Sequence, residues 1–179
     1  MINPANDSQI ILLNGTSSSG KTSLARALQS LLNSAYLYLS LDMFGEMFPD
    51  DYIDVEDEDL AETRKNKILS IMLDCITFLA SSGNKLIVDH VLDESDYMPK
   101  LIKQLSHFKL TFISVICPLE ILEERELQRK DRRIGLARSQ FDNVHKGRLY
   151  DFEIDTSIST PEECAFKVIN YIASANLDA

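Results

Sequence analysis

The segment 15–22, which reads Gly-Thr-Ser-Ser-Ser-Gly-Lys-Thr, constrains this chain more than any other part of its sequence. It fits the pattern Gly-x-x-x-x-Gly-Lys-Thr, and its surroundings are those that the pattern requires. The apolar run 9–14 before it is typical of a buried strand, and leucine and alanine recur at helical spacing through 21–32 after it. A strand that passes through a tight loop directly into a helix predicts an α/β protein with a parallel sheet.

Residues 15–22, called the phosphate loop below, are predicted to bind the phosphates of ATP or a close relative. Glycine lets the backbone wrap closely around an anion. Amide N–H groups from 17–22 would point inward, and the following helix adds partial positive charge. Lys21 would reach the β- and γ-phosphates, and the Thr22 hydroxyl would bind Mg²⁺. The alternative is a serine-rich turn before a helix. The predicted nucleotide-binding residues are Gly15, Thr16, Ser17, Ser18, Ser19, Gly20, Lys21 and Thr22.

Short apolar runs alternate with helical patterns along the rest of the chain. Such alternation indicates a parallel sheet covered on both faces, with right-handed crossovers. Ligands of such sheets bind at the carboxyl ends of strands, which brings the phosphate loop, Asp42 and Asp89 near one rim. No linker or repeat interrupts the pattern, so we expect one domain over 1–179. Further strands are predicted at 35–39, 85–91, 110–117 and 152–155, and the main helices at 60–80, 95–105, 118–129 and from Pro161 onward.

The composition argues against several classes of protein. The 179 residues carry a formal charge of −10, which is unlike a general nucleic-acid binder. No apolar run is long enough to span a bilayer, and residues 1–9 lack the features of a secretory signal, so we expect a cytoplasmic protein. Cys75, Cys117 and Cys164 lie far apart in apolar contexts and are expected to be buried, reduced thiols.

Much of the negative charge is concentrated between residues 50 and 62. The simplest interpretation is a solvated, mobile loop between two structured segments. The functional alternative is a flap that favours cationic or neutral substrates. The acidic residues concerned are Asp50, Asp51, Asp54, Glu56, Asp57, Glu58, Asp59 and Glu62.

Asp42 follows the second predicted strand. In small-molecule kinases of this architecture the acceptor hydroxyl lies beside the end of that strand, where a carboxylate can accept the hydroxyl proton during attack on the γ-phosphate. The alternative is that Asp42 caps a short helix over 43–48. The spacing alone does not decide between a general base and a helix cap.

Asp89 ends the apolar run 86–89. An acid at this position fits the residue that holds Mg²⁺ or its water shell beside the phosphates. The alternative is an ordinary acid at the end of a strand. His90 is adjacent to Asp89, and neighbours on a strand point to opposite faces, so the two are not expected to share a task. We expect His90 to be a structural histidine with its hydrogen bonds satisfied.

Basic charge is concentrated in the segment 124–133 of this acidic chain. Phosphoryl transfer needs positive groups over the transferring oxygens, and arginine matches phosphate in a bidentate way. Arg125 and Arg129 are four residues apart and share one helix face, whereas Arg132 and Arg133 lie where a lid would turn back. The alternative is a solvated helix with ion pairs between successive turns.

Taken together, these motifs resemble the chloramphenicol phosphotransferase family of P-loop kinases. The phosphate loop alone would match many unrelated proteins, but the arginine block and the block 145–156 are more particular. The middle of the chain, 49–85, does not match. The segments that carry the resemblance are 14–22, the region of Asp42, Arg125-Glu126, Arg129, Asp131-Arg132, 135–137, 144–147, 150–156 and 163–165.

The resemblance implies a three-layer P-loop NTPase fold of the nucleoside-monophosphate-kinase type, with a five-stranded parallel sheet flanked by helices. It also implies ATP-dependent phosphorylation of a hydroxyl on a small molecule, with ATP and Mg²⁺ as cofactors and Asp42 as the general base. It assigns Arg129, Arg132 and Arg133 to a lid at about 125–140, and it places the loop after Asp155 against adenine. His145 and Tyr150 match the family pattern without an assigned role.

The resemblance leaves the acceptor open. The leading hypothesis is a small-molecule O-phosphotransferase like chloramphenicol 3-O-phosphotransferase, in which Lys21, Asp42, Arg129, Arg132 and Arg133 are catalytic. A second hypothesis is a metabolic kinase that acts on a nucleotide, sugar or cofactor precursor. A third is a nucleotide-binding regulatory protein with little catalysis. The expected partners are a nucleoside triphosphate and a small hydroxylated acceptor, without nucleic acid or membrane.

Overall fold

Five parallel strands form the centre of the protein, in the order β2-β3-β1-β4-β5. The computed structural model of the chain describes residues 8–92, 97–129 and 134–175. The elements are β1 (Gln9–Asn14), α1 (Lys21–Leu31), β2 (Tyr36–Ser40), α2 (Leu41–Gly45), α3 (Glu58–Ser81), β3 (Lys85–His90), α4 (Tyr97–Leu105), β4 (Lys109–Ile116), α5 (Leu119–Gln128), α6 (Leu136–Phe141), β5 (Phe152–Asp155) and α7 (Pro161–Ala175).

The central strand β1 has neighbours on both edges and is buried along its whole length. Leu13 pairs in register with Asp89 of β3 and with Ile113 of β4. Alternate side chains of β1 therefore enter two different cores, one on each face of the sheet. This register also brings the end of β1, where the phosphate loop begins, level with the end of β3.

Helices cover both faces of the sheet. On one face α3 and α4 pack over Ile10 and Leu12 of β1. On the other face α1 and α7 pack over Ile11 and Leu13. The strands are apolar on both sides because both sides are covered, as is usual for parallel sheets. The three-layer, five-stranded parallel architecture predicted from the sequence is confirmed.

Most predicted elements are present with boundaries that differ by a residue or two. The fifth strand, Phe152–Asp155, has the predicted limits. The last helix begins with the predicted capping box, since the Glu163 N–H donates to Thr160 Oγ1 and the Thr160 N–H donates to the Glu163 carboxylate at 2.9 Å. The helix predicted to run into Arg129 ends one residue earlier, and Arg129 is its extended C-cap.

The acidic stretch 50–62 is not wholly a loop. Asp57 caps α3, and its side chain accepts a hydrogen bond from the Leu60 N–H at 3.1 Å. Glu58 and Asp59 lie in the first turn of that helix. Carboxylates at this position interact favourably with the positive end of the helix dipole. Part of the charge that looked like a loop in sequence therefore starts a 24-residue helix.

The three cysteines are free. Cys117 and Cys164 are buried as predicted, whereas Cys75 on α3 is only partly buried. In the part of the chain that the structure describes, no helix has both the length and the apolar character needed to cross a membrane.

Candidate active site

A cavity of about 790 Å³ opens at the carboxyl ends of the strands. The phosphate loop forms its floor. The start of α2 and the end of β3 form one wall, and α5, α6 and the segment after β5 form the other. The residues discussed below that line it are Ser17, Ser18, Lys21, Thr22, Asp42, Ile53, Lys65, Asp89, His90, Arg125, Arg129, Gln140 and Thr156.

The two glycines of the phosphate loop are required for different reasons. A Cβ on Gly15 would lie 2.3 Å from the Val115 carbonyl oxygen, so this glycine lets the loop pack against the backbone of β4. Gly20 has a φ of 87° and begins α1 as its N-cap. Ser18 also adopts a positive φ, of 62°, which is uncommon for a residue other than glycine. The loop is therefore held in a conformation that an unconstrained turn would not adopt.

Two amides of the predicted anion nest are already used within the chain. The Ser17 N–H donates to the side-chain oxygen of Gln140 at 2.8 Å, and the Ser19 N–H donates to the Thr16 carbonyl at 3.3 Å. The first turn of α1 begins at Lys21, and the first N–H groups of a helix are not used by the hydrogen bonds of the helix itself. The positive end of this 11-residue helix therefore points towards the cavity.

Two buried hydroxyls of the loop lack a hydrogen-bond partner in the described ranges. They are Ser18 Oγ, whose residue lines the cavity, and Ser19 Oγ beside it. Buried polar groups are nearly always hydrogen-bonded in native proteins. The unpaired hydroxyl of Ser18, the positive end of α1 and the close-packed Gly15 fit an anionic phosphate chain.

Lys21, Thr22 and Asp89 form one polar cluster at the bottom of the cavity. Lys21 Nζ donates to the Thr16 carbonyl at 2.7 Å and lies 3.9 Å from Asp89 Oδ1. Thr22 Oγ1 donates to Asp89 Oδ2 at 2.8 Å, and the Tyr38 hydroxyl donates to the same oxygen at 3.1 Å. The phosphate-loop lysine and the two residues predicted to hold Mg²⁺ are therefore in mutual contact.

This cluster fits a magnesium ion that is shared with phosphate. Mg²⁺ prefers oxygen ligands and usually keeps several waters while binding one or two protein groups. Thr22 Oγ1 and the Asp89 carboxylate are such groups. Among residues 8–92, 97–129 and 134–175, no three His, Cys, Asp or Glu side chains form a metal-binding group. An ion held by these two groups would take its other ligands from water and phosphate.

Asp42 lines the same cavity from the first turn of α2. The alternative interpretation, in which Asp42 caps this helix, is wrong, because Ser40 is the N-cap and its hydroxyl accepts a hydrogen bond from the Met43 N–H at 3.3 Å. The helix also begins at Leu41 and ends at Gly45, earlier than the predicted 43–48. The Asp42 carboxylate is thus not needed to start the helix.

His90, which follows Asp89 at the end of β3, was expected to be a structural histidine. It is buried, with 1% of its surface exposed, and its ring interacts with the backbone of Val91, although neither ring nitrogen makes a hydrogen bond of good geometry within the described residues. Its ring lies on the face of the sheet opposite Asp89 and contacts the Tyr97 ring, with 5.3 Å between centroids. Burial lowers the pKa of His90 to about 4, with smaller contributions from the charges of Lys21 and Lys65, and against the effect of a hydrogen bond with the Val91 backbone, which raises the pKa. The expectation of a satisfied structural histidine stays a prediction.

Arg125 joins the phosphate loop to the segment after β5. Its guanidinium donates to the Thr156 carbonyl at 2.8 Å and to Thr156 Oγ1 at 3.1 Å, and it approaches the Ser18 carbonyl at 3.5 Å. Thr156 Oγ1 in turn donates to the Ser19 carbonyl at 2.7 Å. Arg129 is exposed and lines the cavity at the end of α5. Arg132 and Arg133 lie outside the described residues.

Glu126 is a buried carboxylate that the sequence did not single out for a role. It is 1% exposed, and its two oxygens accept hydrogen bonds from the Gly135 N–H at 2.6 Å and the Ala137 N–H at 2.9 Å. These amides belong to the start of α6, the helix that carries Gln140. Glu126 therefore holds α6 against α5. Glutamate is rarely buried unless its charge is paired or hydrogen-bonded.

His145 and Tyr150 belong to a hydrogen-bond network on the other side of the phosphate loop. Asn14, at the end of β1, donates through its amide nitrogen to the Tyr150 hydroxyl at 2.7 Å and to the Val144 carbonyl at 2.9 Å. His145 Nδ1 lies 2.9 Å from that hydroxyl. Neither His145 nor Tyr150 lines the cavity. The network ties the segment before β5 to the strand that leads into the loop.

Comparison with known proteins gives one family. The model of the family described as "Chloramphenicol phosphotransferase-like protein" matches residues 8–173. The chain is 27% identical to a protein from two strains of Mycobacterium tuberculosis that is named, provisionally, as an O-phosphotransferase. That match covers 89% of this chain and 80% of the relative.

Solved structures of kinases share the fold at low sequence identity. The APS kinase of Mycobacterium tuberculosis, solved with AMPPNP and APS, superposes with a TM-score of 0.71 at 17% identity and covers 94% of this chain and 99% of its own. The shikimate kinase of Acinetobacter baumannii, solved with shikimate, gives a TM-score of 0.67 at 17% identity, with 94% of each chain covered. At these identities the likeness establishes the fold.

Proposed function

The chain belongs to the chloramphenicol phosphotransferase-like family, and on that premise we propose that it transfers the γ-phosphate of ATP to a hydroxyl group of a small molecule. The observation that carries the proposal is that one cavity is lined both by the phosphate loop and by Asp42. A site that only binds a nucleotide would need no more than the phosphate loop. A carboxylate across the same cavity, on a helix that does not need it as a cap, is what an acceptor hydroxyl requires.

The proposed reaction assigns a task to each group at the bottom of the cavity. The acceptor oxygen attacks the γ-phosphorus, the bond to the β–γ bridging oxygen breaks, and ADP leaves. Asp42 takes the acceptor proton as the new bond forms. Lys21 and the amides at the start of α1 stabilise the charge on the β- and γ-phosphates. Thr22 and Asp89 would hold Mg²⁺, which neutralises charge that develops on the bridging oxygen.

The wall formed by α5, α6 and the segment after β5 would bind the rest of the nucleotide and cover the phosphates. Arg125 and Thr156 form a rigid edge suited to the adenine end of the nucleotide, next to the segment after Asp155. Arg129, and with it Arg132 and Arg133 beyond the described residues, would cover the transferring phosphate as part of a lid at about 125–140. Closure of such a lid excludes water and so favours transfer over hydrolysis. We also propose that residues 1–179 form a single catalytic domain.

The proposal is tested by incubating the protein with MgATP and a panel of hydroxylated compounds that includes chloramphenicol. We expect phosphorylated product from at least one compound. Asp42→Asn should lower the transfer rate by about 10²-fold or more, since a positioned base contributes about 10²–10⁴-fold. Asp74→Asn, a change of an exposed acid on α3, serves as the matched control and should leave the rate unchanged.

Three outcomes would separate the hypotheses. Transfer to a drug but not to metabolites supports an O-phosphotransferase of the chloramphenicol type. Transfer to a sugar or nucleotide supports a metabolic kinase. Tight ATP binding without product from any compound, and without an effect of Asp42→Asn, would contradict the proposed function and favour a nucleotide-binding regulatory protein.

A further inference from the structure

Tyr38 on β2 contacts the polar cluster at the bottom of the cavity, although it does not line the cavity itself. Its hydroxyl donates to Asp89 Oδ2 at 3.1 Å, and the same oxygen accepts a hydrogen bond from the Thr22 hydroxyl at 2.8 Å. The proposed reaction gives Tyr38 no task. Because Tyr38 bonds to the carboxylate that would hold Mg²⁺, its contribution to the site concerns the binding of that ion.

The two oxygens of the Asp89 carboxylate have different surroundings. A carboxylate oxygen has about two lone-pair sites, and the hydrogen bonds from Thr22 and Tyr38 use both of those on Oδ2. Oδ1 lies 3.9 Å from Lys21 Nζ, which is beyond hydrogen-bond distance, and it accepts no hydrogen bond from the part of the chain that the structure describes. Asp89 therefore has one carboxylate oxygen left for a cation in the cavity.

The fold fixes the Tyr38 ring beside Asp89. β2 and β3 pair so that Tyr38 is level with Ile87, two residues before Asp89, and alternate residues of a strand share a face. Tyr38 and Asp89 therefore lie on the face that α1 covers. From α1 the Arg26 guanidinium lies over the Tyr38 ring, 4.2 Å from its centroid, and a cation in this position attracts the ring. The tyrosine is thus held between the sheet and α1.

The Tyr38 hydroxyl is an uncharged donor throughout the neutral pH range. Burial, and then the negative charge of Asp89, raise the pKa of Tyr38 above its usual value of about 10, while the hydroxyls of Thr22 and Ser40 act in the opposite direction. The hydroxyl therefore keeps its proton. An uncharged donor orients the carboxylate without neutralising it, so Asp89 keeps its full charge for a cation.

Magnesium and calcium use a carboxylate differently. Mg²⁺ takes six ligands in near-ideal octahedral geometry, usually from one or two carboxylates, phosphates and water. Ca²⁺ takes six to eight ligands in a flexible arrangement, and it often binds both oxygens of one carboxylate. A carboxylate with one free oxygen supplies one ligand in a fixed direction. This arrangement suits Mg²⁺ better than Ca²⁺.

We propose that Tyr38 is a positioning residue that leaves Asp89 one oxygen for the cation, so that the site prefers Mg²⁺ to Ca²⁺ as the ion bound with ATP. The inference rests on the nucleotide site of the proposed function, and it does not depend on transfer to an acceptor. Without the Tyr38 hydroxyl, Asp89 can turn and offer both oxygens. Mg²⁺ then loses a ligand of fixed direction, and Ca²⁺ gains a possible second one.

The test measures ATP affinity by calorimetry on the full chain in EDTA, in Mg²⁺ and in Ca²⁺. The gain from an ion is the affinity with that ion divided by the affinity in EDTA. We expect the wild-type protein to gain more from Mg²⁺ than from Ca²⁺. Tyr38→Phe should lower the gain from Mg²⁺ by about tenfold or more, as is usual when a group that orients a metal ligand is removed. It should leave the gain from Ca²⁺ unchanged or larger, and the affinity in EDTA unchanged.

Tyr36→Phe is the matched control. It removes a hydroxyl from the same strand, and that hydroxyl donates to the Gln9 side chain at 2.6 Å, away from the cavity. Both gains should stay as in the wild-type protein. A double variant tests whether Tyr38 acts through Asp89. Adding Tyr38→Phe to Asp89→Asn should cause no further loss of the gain from Mg²⁺, whereas a full additional loss would contradict this route.

Arg26→Met provides a second variant, because Arg26 is exposed and its change leaves the tyrosine in place. Methionine keeps an aliphatic chain over the Tyr38 ring but removes the charge that attracts it. The gain from Mg²⁺ should fall by about two- to fivefold, as for one exposed cation–π contact. If circular dichroism shows that Tyr38→Phe is not folded, an unchanged preference for Mg²⁺ in Arg26→Met overturns the inference.

The failure of this inference differs from the failure of the proposed function. Equal gains from Mg²⁺ in the wild-type protein and Tyr38→Phe would overturn the role of Tyr38, and so would a wild-type protein that gains as much from Ca²⁺ as from Mg²⁺. Intact binding of MgATP without transfer to any acceptor would overturn the proposed function and leave the role of Tyr38 standing. Absence of ATP binding under all three conditions would overturn both.

Discussion

The backbone N–H of Ser17 donates a 2.8 Å hydrogen bond to the side-chain oxygen of Gln140. Ser17 lies in the phosphate loop and Gln140 lies on α6, so the bond joins the floor of the cavity to the wall formed by α5 and α6. A carboxamide oxygen is here the acceptor for a loop amide that is expected to face the phosphates. Gln140 therefore competes with the nucleotide for this amide, or moves when the nucleotide binds.

We predict that Gln140→Leu binds ATP more tightly than the wild-type protein. The free protein loses a hydrogen bond whose net value is about 0.5–1.5 kcal/mol, and the bound state recovers a partner for Ser17 from the phosphates. The affinity gain should be about two- to tenfold by isothermal titration calorimetry, with a lower melting temperature in the absence of ATP. A weaker affinity for ATP would instead mean that Gln140 binds the nucleotide directly.

The contact between Thr22 and Asp89 leads to a prediction about magnesium. Asp89→Asn should reduce the gain in ATP affinity that Mg²⁺ provides by about 10–100-fold, as is usual when a group that supports a metal is changed. In EDTA the variant should bind ATP at least as tightly as wild type, because a negative charge near the phosphates has been removed. Both affinities can be measured by calorimetry without an acceptor. Asp74→Asn is the control, and equal magnesium effects in both variants would contradict the prediction.

The sheet was largely predictable because its strands are short apolar runs with clear boundaries. Residues 9–14 and 152–155 were read from the sequence with the limits that the structure has. The start of α2 was less predictable, because Ser40 and Asp42 are both good N-cap residues and only the backbone decides between them. The acidic segment before α3 was similarly ambiguous, since acids suit both a solvated loop and a helix start.

Those parts of the candidate site that depend on a short sequence motif were predictable. The phosphate loop and the strand-end acid Asp89 depend on residues close in sequence or on the simple rule that parallel strands end at one rim. Gln140 and Glu126 could not be found in this way, because their partners are backbone amides far along the chain or across a turn. Every residue except proline has a backbone amide, so the sequence does not show which amide a side chain will bond to.

Glu126 provides a test of how α6 is held against α5. Glu126→Gln replaces one carboxylate oxygen with an NH₂ group, which cannot accept the N–H of Gly135 or Ala137. One buried amide is then left unpaired, at a cost of about 1–3 kcal/mol in the free energy of unfolding. Urea denaturation measures this loss, and proteolysis should become faster within α6. Glu124→Gln, an exposed change on the same helix, should leave both measurements unchanged.

Gly15 and Gly45 form a matched pair for testing how the loop is built. A Cβ at position 15 would stand 2.3 Å from the Val115 carbonyl oxygen, and this backbone atom cannot move aside without displacing β4. We expect Gly15→Ala to lose about 1–3 kcal/mol of stability, as for overpacking in a well-packed interior, and to weaken ATP binding because the loop shifts. A Cβ at position 45 meets nothing within 4 Å. Gly45→Ala should therefore be neutral, or should stabilise the protein by about 0.4–1 kcal/mol, because alanine lowers the conformational entropy of the unfolded chain.

Chemical denaturation, and calorimetry with ATP, on Gly15→Ala and Gly45→Ala measure this difference in stability and in ATP affinity. Equal stability of the two variants would show that the loop does not depend on its close approach to β4.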